Sequence, residues 1–184
     1  MNIILMGYRG SGKTSIGRQI ASQTWKDFVD SDHEVVARFS GRSIAEIWAD
    51  PGEPAFRAAE AEVVQELVQR ENHVIALGGG AVMHPDAADA IRGAPDARRI
   101  YLACRPAVLA QRLADDPATA ASRPPLRPQD DASDPAPAGA ATVEEITAVL
   151  AERDPVYREL ADVVFDVTYL NLPDAVAYLA RHHL

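Results

Sequence analysis

Residues Gly7 to Gly17 read GYRGSGKTSIG and follow the apolar run Ile3-Ile4-Leu5-Met6. Within them, Gly7 to Thr14 fits G-x-x-x-x-G-K-[ST], the P-loop pattern, with a strand-like run before it and a helical pattern after it. Glycines at these positions let backbone N–H groups turn inward around phosphate oxygens, and the following helix adds the positive end of its dipole. Gly10, Ser11, Gly12, Lys13, Thr14 and Ser15 are therefore the expected contacts to a nucleoside triphosphate. Lys13 is suited to the β- and γ-phosphates and Thr14 to Mg²⁺. The loop alone does not separate kinase, GTPase and ATPase, but the N-K-x-D base-recognition motif of G proteins is absent.

Outward from this loop, short apolar runs alternate with helical patterns. Asn2–Met6, Asp27–Val29, His73–Leu77, Arg99–Ala103 and Val163–Val167 have strand length. Lys13–Gln23, Pro54–Arg70, Pro106–Ala114, Val143–Leu160 and Pro173–Arg181 carry apolar residues at three- and four-residue spacing. Such alternation predicts an α/β domain with a mostly parallel sheet and its ligands at the carboxyl ends of the strands. The length of 184 residues fits a single domain spanning 1–184.

One stretch interrupts the alternation. From Asp115 to Ala141 the chain is crowded with Pro, Ala and Asp and nearly empty of core residues, so 115–141 reads as a long loop between core segments 1–114 and 142–184. A loop of this length is either a disordered insertion or a mobile lid. Arg123 and Arg127, cations set beside prolines in an acidic stretch, favour a lid.

Composition narrows the partners. Eighteen Lys+Arg against 27 Asp+Glu give a formal charge of −9, which argues against broad binding to nucleic acid or anionic membranes. A single cysteine, Cys104, allows no internal disulfide, and no apolar run is long enough to span a bilayer, so a soluble protein of a reducing compartment, the cytoplasm, is expected. A monomer is the expected state. Cys104 itself reads as a small residue closing a buried strand, and the five histidines form no metal-spaced cluster.

An acceptor for the phosphate should follow. Phe28-Val29-Asp30-Ser31-Asp32 places two carboxylates at the end of an apolar run, where they can serve a metal and a substrate hydroxyl or cap a helix. Next come Gly41-Arg42-Ser43-Ile44-Ala45-Glu46-Ile47-Trp48, Gly52-Glu53-Pro54-Ala55-Phe56-Arg57-Ala58-Ala59-Glu60 and Gly78-Gly79-Gly80. In this order and spacing they resemble the shikimate kinase family, with its D-x-D, G-x-S-I-x-E-I, G-E-x-x-F-R-x-x-E and G-G-G motifs. Arg123-Pro124-Pro125-Leu126 is similar to that family's lid motif, and Arg153-Asp154-Pro155-Val156-Tyr157 to its late R-x-P-x-Y segment. The resemblance runs from about residue 2 to residue 167.

That resemblance implies a three-layer α/β/α, nucleoside-monophosphate-kinase-like fold with a five-stranded parallel sheet and a mobile lid. It implies transfer of the ATP γ-phosphate to the 3-hydroxyl of shikimate. By position in the family pattern, Arg57 and Arg153 grip the shikimate carboxylate, Glu60 orients Arg57, and Asp32 binds the hydroxyls and assists deprotonation. Asp30 joins Thr14 at Mg²⁺, and the backbones of Gly78, Gly79 and Gly80 approach the substrate. Arg123 enters with the lid to neutralise the transferring phosphoryl group, Arg112 lies against adenine, and Trp48 is a pocket wall or a core residue.

Two departures from the pattern stand out. Arg-Pro-Pro-Leu, followed by Arg127-Pro128, replaces the usual R-P-L-L, leaving Arg127 as an alternative to Arg123. Val36 stands where the family tends to carry an acid. A related kinase for gluconate is the rival enzyme, although its H-P-x-x-N is missing after the acid pair. A shikimate-sensing module is the rival from another class, and the intact Lys13, Thr14, Asp30 and Asp32 set argues for turnover.

Overall fold

The computed structural model describes residues 1–116 and 142–184. Its centre is β1 (Asn2–Met6), NIILM, in which every residue is buried. A strand apolar on both faces needs cover on both. Ile4 and Met6 enter one core with Val64, Leu67 and Tyr157, while Ile3 and Leu5 enter a second with Ile16, Ile20 and Val176. This is the three-layer α/β/α arrangement.

The sheet adds β2 (Asp27–Asp30), β3 (His73–Ala76), β4 (Ala97–Ala103) and β5 (Val163–Asp166), in the order β2-β3-β1-β4-β5. All four pairings are parallel, with Ile4 opposite Ile75 on one side and Arg99 on the other. After β3 the chain crosses over β1 to β4. The loops leaving β1 and its neighbours therefore diverge and open a crevice at their carboxyl ends.

The helices are α1 (Lys13–Thr24), α2 (Ser31–Arg38), α3 (Ile44–Ile47), α4 (Glu53–Leu67), α5 (Pro85–Arg92), α6 (Pro106–Ala114), α7 (Val143–Leu160) and α8 (Leu172–His182). All five expected strands and five expected helices are present, with ends displaced by up to three residues. The largest strand difference is at β4, which begins at Ala97 because Arg98 and Arg99 pair in register with Ile3 and Ile4. The Arg99 guanidinium meets Asp162 at 2.7 Å, so a charged residue is accommodated at this end of the strand.

Three helices add to the expected set. In α2, SDHEVVAR buries only Val35 among its apolar residues, and in α5, PDAADAIR buries only Ala87 and Ile91. So few apolar positions give almost no periodic signal. The four-residue α3 is held by a capping box, Ser43 accepting from the Glu46 amide while Glu46 accepts from the Ser43 amide. The Ser43 hydroxyl, which donates to the Glu46 carboxylate at 2.7 Å, and then the Ser43 amide hold that carboxyl below its usual range. Helix α7 begins with the same device, built from Thr142 and Glu145, immediately after the expected lid segment. Arg123, Arg127 and nearly all of that segment lie outside the described residues.

Candidate active site

The crevice holds a cleft of about 530 Å³, lined along one side by Arg9 to Ile16 and along the other by α6 and the start of α8. Gly12 has φ 94°, a left-handed backbone conformation that suits glycine and lets the loop turn directly into α1. Lys13 is nearly buried, and its Nζ donates to the carbonyls of Gly7 at 2.8 Å and Tyr8 at 2.9 Å. Ser11 Oγ is buried with no hydrogen-bond partner among the described residues. A buried hydroxyl, a buried ammonium and a helix N-terminus together suit a polyphosphate.

Thr14 and Asp30 meet beside this loop, Thr14 Oγ1 donating to Asp30 Oδ2 at 2.8 Å. Asp30 Oδ1 also accepts from the Asp32 amide at 3.1 Å and caps α2. The two readings of this carboxylate, helix cap and site group, are thus compatible because each uses a different oxygen. A hydroxyl and a carboxylate so placed are hard oxygen donors that fit Mg²⁺. Asp32, in the first turn of α2, is buried at the cleft floor.

Beyond Asp32, side chains meet over a glycine turn next to the cleft. A Cβ on Gly78 would collide with Asp32 Oδ1 and would lie 2.6 Å from Glu60 Oε1, so both carboxylates converge over this glycine. A Cβ on Gly80 would strike Arg57 Nη1. The turn after β3 is therefore glycine because side chains from α2 and α4 fill the space. Its first amide, Gly78 N–H, donates to the buried Ser31 Oγ at 2.8 Å, tying β3 to the start of α2.

Arg57 and Glu60 do not form an ordinary surface pair. Their ion pair is 2.8 Å long, and the Glu60 side chain is only 2% exposed. Burial raises the Glu60 carboxyl above its ordinary range, with the Arg57 charge opposing that shift. The Arg57 guanidinium also lies 5.3 Å from the Trp48 ring centre. Trp48 packs against Phe56 and the main core, so it is both core edge and support for the cation. Arg153 Nη1 donates to the Gly79 carbonyl at 3.0 Å, joined there by the Tyr157 hydroxyl.

Arg112 reaches from α6 to the carbonyls of Gly10 at 3.4 Å and Val167 at 3.0 Å, placing it on the cleft wall near the P-loop. Sequence reasoning missed the far wall, where Leu170, Asn171 and Leu172 face the cleft at the start of α8. It also left Tyr157 without a role, although its place in R-x-P-x-Y was a signal. Ser15 lines the cleft mouth and is exposed. Cys104 is half-buried just after β4, and burial raises its thiol pKa.

A P-loop cleft adjoined at Asp32 by a cluster of carboxylates and guanidinium groups fits a P-loop small-molecule kinase. The family model for shikimate kinase matches residues 9–182, and the chain belongs to that family. A shikimate kinase of Dechloromonas aromatica is 37% identical over 180 residues, covering 98% of this chain and 88% of the relative. One of Nitrosococcus oceani is 41% identical over 165 residues, covering 89% and 76%. The solved structure of the Acinetobacter baumannii shikimate kinase in complex with shikimate superposes with a TM-score of 0.81 at 29% identity, covering 98% of this chain and 90% of that one.

Proposed function

We infer that this enzyme transfers the γ-phosphate of ATP to the 3-hydroxyl of shikimate, giving shikimate 3-phosphate on the route to chorismate and the aromatic amino acids. The observation that carries the reading is the meeting of Asp32, Arg57 with its buried partner Glu60, and Arg153 around the Gly78–Gly80 turn, beside the P-loop cleft. Shikimate offers one carboxylate and three hydroxyls, and this pocket offers two guanidinium groups and a buried carboxylate.

In this reading the backbone of Gly10 to Ser15, Ser11 Oγ and Lys13 hold the ATP phosphates, with Arg112 beside the base. Thr14 and Asp30 hold Mg²⁺, which when bound neutralises charge on the phosphate oxygens. Arg57 and Arg153 bind the shikimate carboxylate, and Glu60 fixes Arg57 by taking its Nη1. Gly79 and Gly80 meet the substrate through their backbones. Asp32 binds the attacking hydroxyl and receives its proton. Arg123 of the lid segment neutralises the phosphoryl group in transfer.

No helix among the described residues is long and apolar enough to cross a membrane. The free thiol of Cys104 accords with a cytoplasmic setting.

The test is ADP release by the purified protein with MgATP, with and without shikimate, against gluconate and quinate. Shikimate-dependent ADP release is expected. Turnover with gluconate alone would reassign the acceptor, and shikimate binding without turnover would favour a sensor.

A further inference from the structure

The Gly79 carbonyl carries two donors, Arg153 Nη1 and the Tyr157 hydroxyl, both from α7. Tyr157 has no exposed surface, and burial pushes its hydroxyl pKa up, keeping it a proton donor. Its ring stacks on Tyr101 with centres 4.8 Å apart, and the Tyr101 hydroxyl donates to Asp154 at 2.8 Å. The phenol is thus held from its face as well as from its tip.

A trans peptide is planar, with its carbonyl and N–H pointing in opposite directions. Fixing the Gly79 carbonyl toward α7 therefore fixes the Gly80 N–H away from it. Gly79 and Gly80 are buried, yet neither amide donates to another described residue. Buried amides left without partners are rare unless a ligand or water completes them. The turn is closed by the Ala81 N–H donating to the Gly78 carbonyl at 3.1 Å, and because glycine has no side chain to limit peptide rotation the two donors from α7 add a second restraint on this plane.

We propose that Tyr157 is a positioning residue for acceptor binding, which with Arg153 sets the Gly79–Gly80 peptide plane and so aims the Gly80 N–H at the acceptor. The proposal rests on the kinase reading above. It concerns a residue that need not touch shikimate itself.

Tyr157→Phe removes the hydroxyl and keeps the stack. Its shikimate KM should rise by about fivefold to tenfold, the scale of one hydrogen bond, with ATP KM unchanged. The matched control, Tyr101→Phe, should leave shikimate KM within about twofold, since its hydroxyl does not reach the turn. In the free protein, the Gly80 amide resonance in a ¹H–¹⁵N spectrum should move in Tyr157→Phe and stay in place in Tyr101→Phe. An unmoved Gly80 resonance, an unchanged shikimate KM in the folded Tyr157→Phe protein, or equal losses in both variants would overturn the proposal. A wild-type protein inactive on shikimate whose Gly80 resonance still responds only to Tyr157→Phe would instead overturn the acceptor assignment and support the peptide clamp.

Discussion

On the side proposed for phosphate the cleft is bounded by one uninterrupted stretch, Arg9 to Ile16, whose proposed contacts are largely backbone groups and the start of α1. The acceptor side proposed above adjoins the cleft at Asp32 and is assembled from Asp32 on α2, Arg57 and Glu60 on α4, the Gly78–Gly80 turn after β3, and Arg153 on α7. A backbone cradle needs only its own short loop to be correct. A side-chain pocket needs three helices and a strand end to be packed in register, so its function is coupled to the fold.

The sharpest way to separate the two ends is Asp32→Asn. The carboxylate is buried at the cleft floor, and the amide keeps its volume while losing its capacity to accept the hydroxyl proton. Turnover should fall by about 10³-fold, within the usual range for a general base, while ATP affinity is preserved. ADP release and a nucleotide-binding titration on one preparation check this. A parallel loss of ATP affinity would show that the acid pair serves the phosphate end instead.

A smaller effect is expected from Arg57→Ala. This removes a guanidinium and leaves Glu60 buried without its 2.8 Å partner. Shikimate KM should rise by roughly 10- to 100-fold, as for a charge-assisted hydrogen bond, with ATP KM little changed. Thermal unfolding should also move to lower temperature, because an unpaired buried carboxylate destabilises the fold. An unaltered shikimate KM would remove Arg57 from the acceptor pocket.

The same contrast explains what could be read before the fold was known. The P-loop was legible because its chemistry is local, nine successive residues from Gly7 to Ser15. The two Asp residues and three glycines were visible as types, but their meeting was not, since Gly78 lies 46 residues beyond Asp32. Even the family pattern, which names Arg57 and Glu60, could not show that Glu60 is enclosed while Arg57 rests against Trp48. Helices α2 and α5 escaped because eight-residue helices with one or two buried apolar residues carry little periodicity. Tyr157 was unreadable as a clamp because its partner, the Gly79 carbonyl, is a backbone atom 78 residues away.

Coupling between fold and pocket should be visible in stability as well as turnover. Glu60 has its pKa raised in the folded protein, chiefly by burial. Folding therefore favours its protonated form. The stability this group contributes is fully present below its unfolded pKa, near the ordinary value of 4.5, and is lost as pH rises through the raised folded value. Glu60→Gln cannot titrate, so the wild-type Tm should decline relative to the variant as pH rises through that window. The expected difference is a few degrees, since about 1 kcal/mol moves Tm by roughly 2–4 °C in a domain of this size. Parallel Tm profiles for wild type and Glu60→Gln would mean that the acceptor end is open to water in solution, and that its chemistry is less tied to the core than the backbone cradle's.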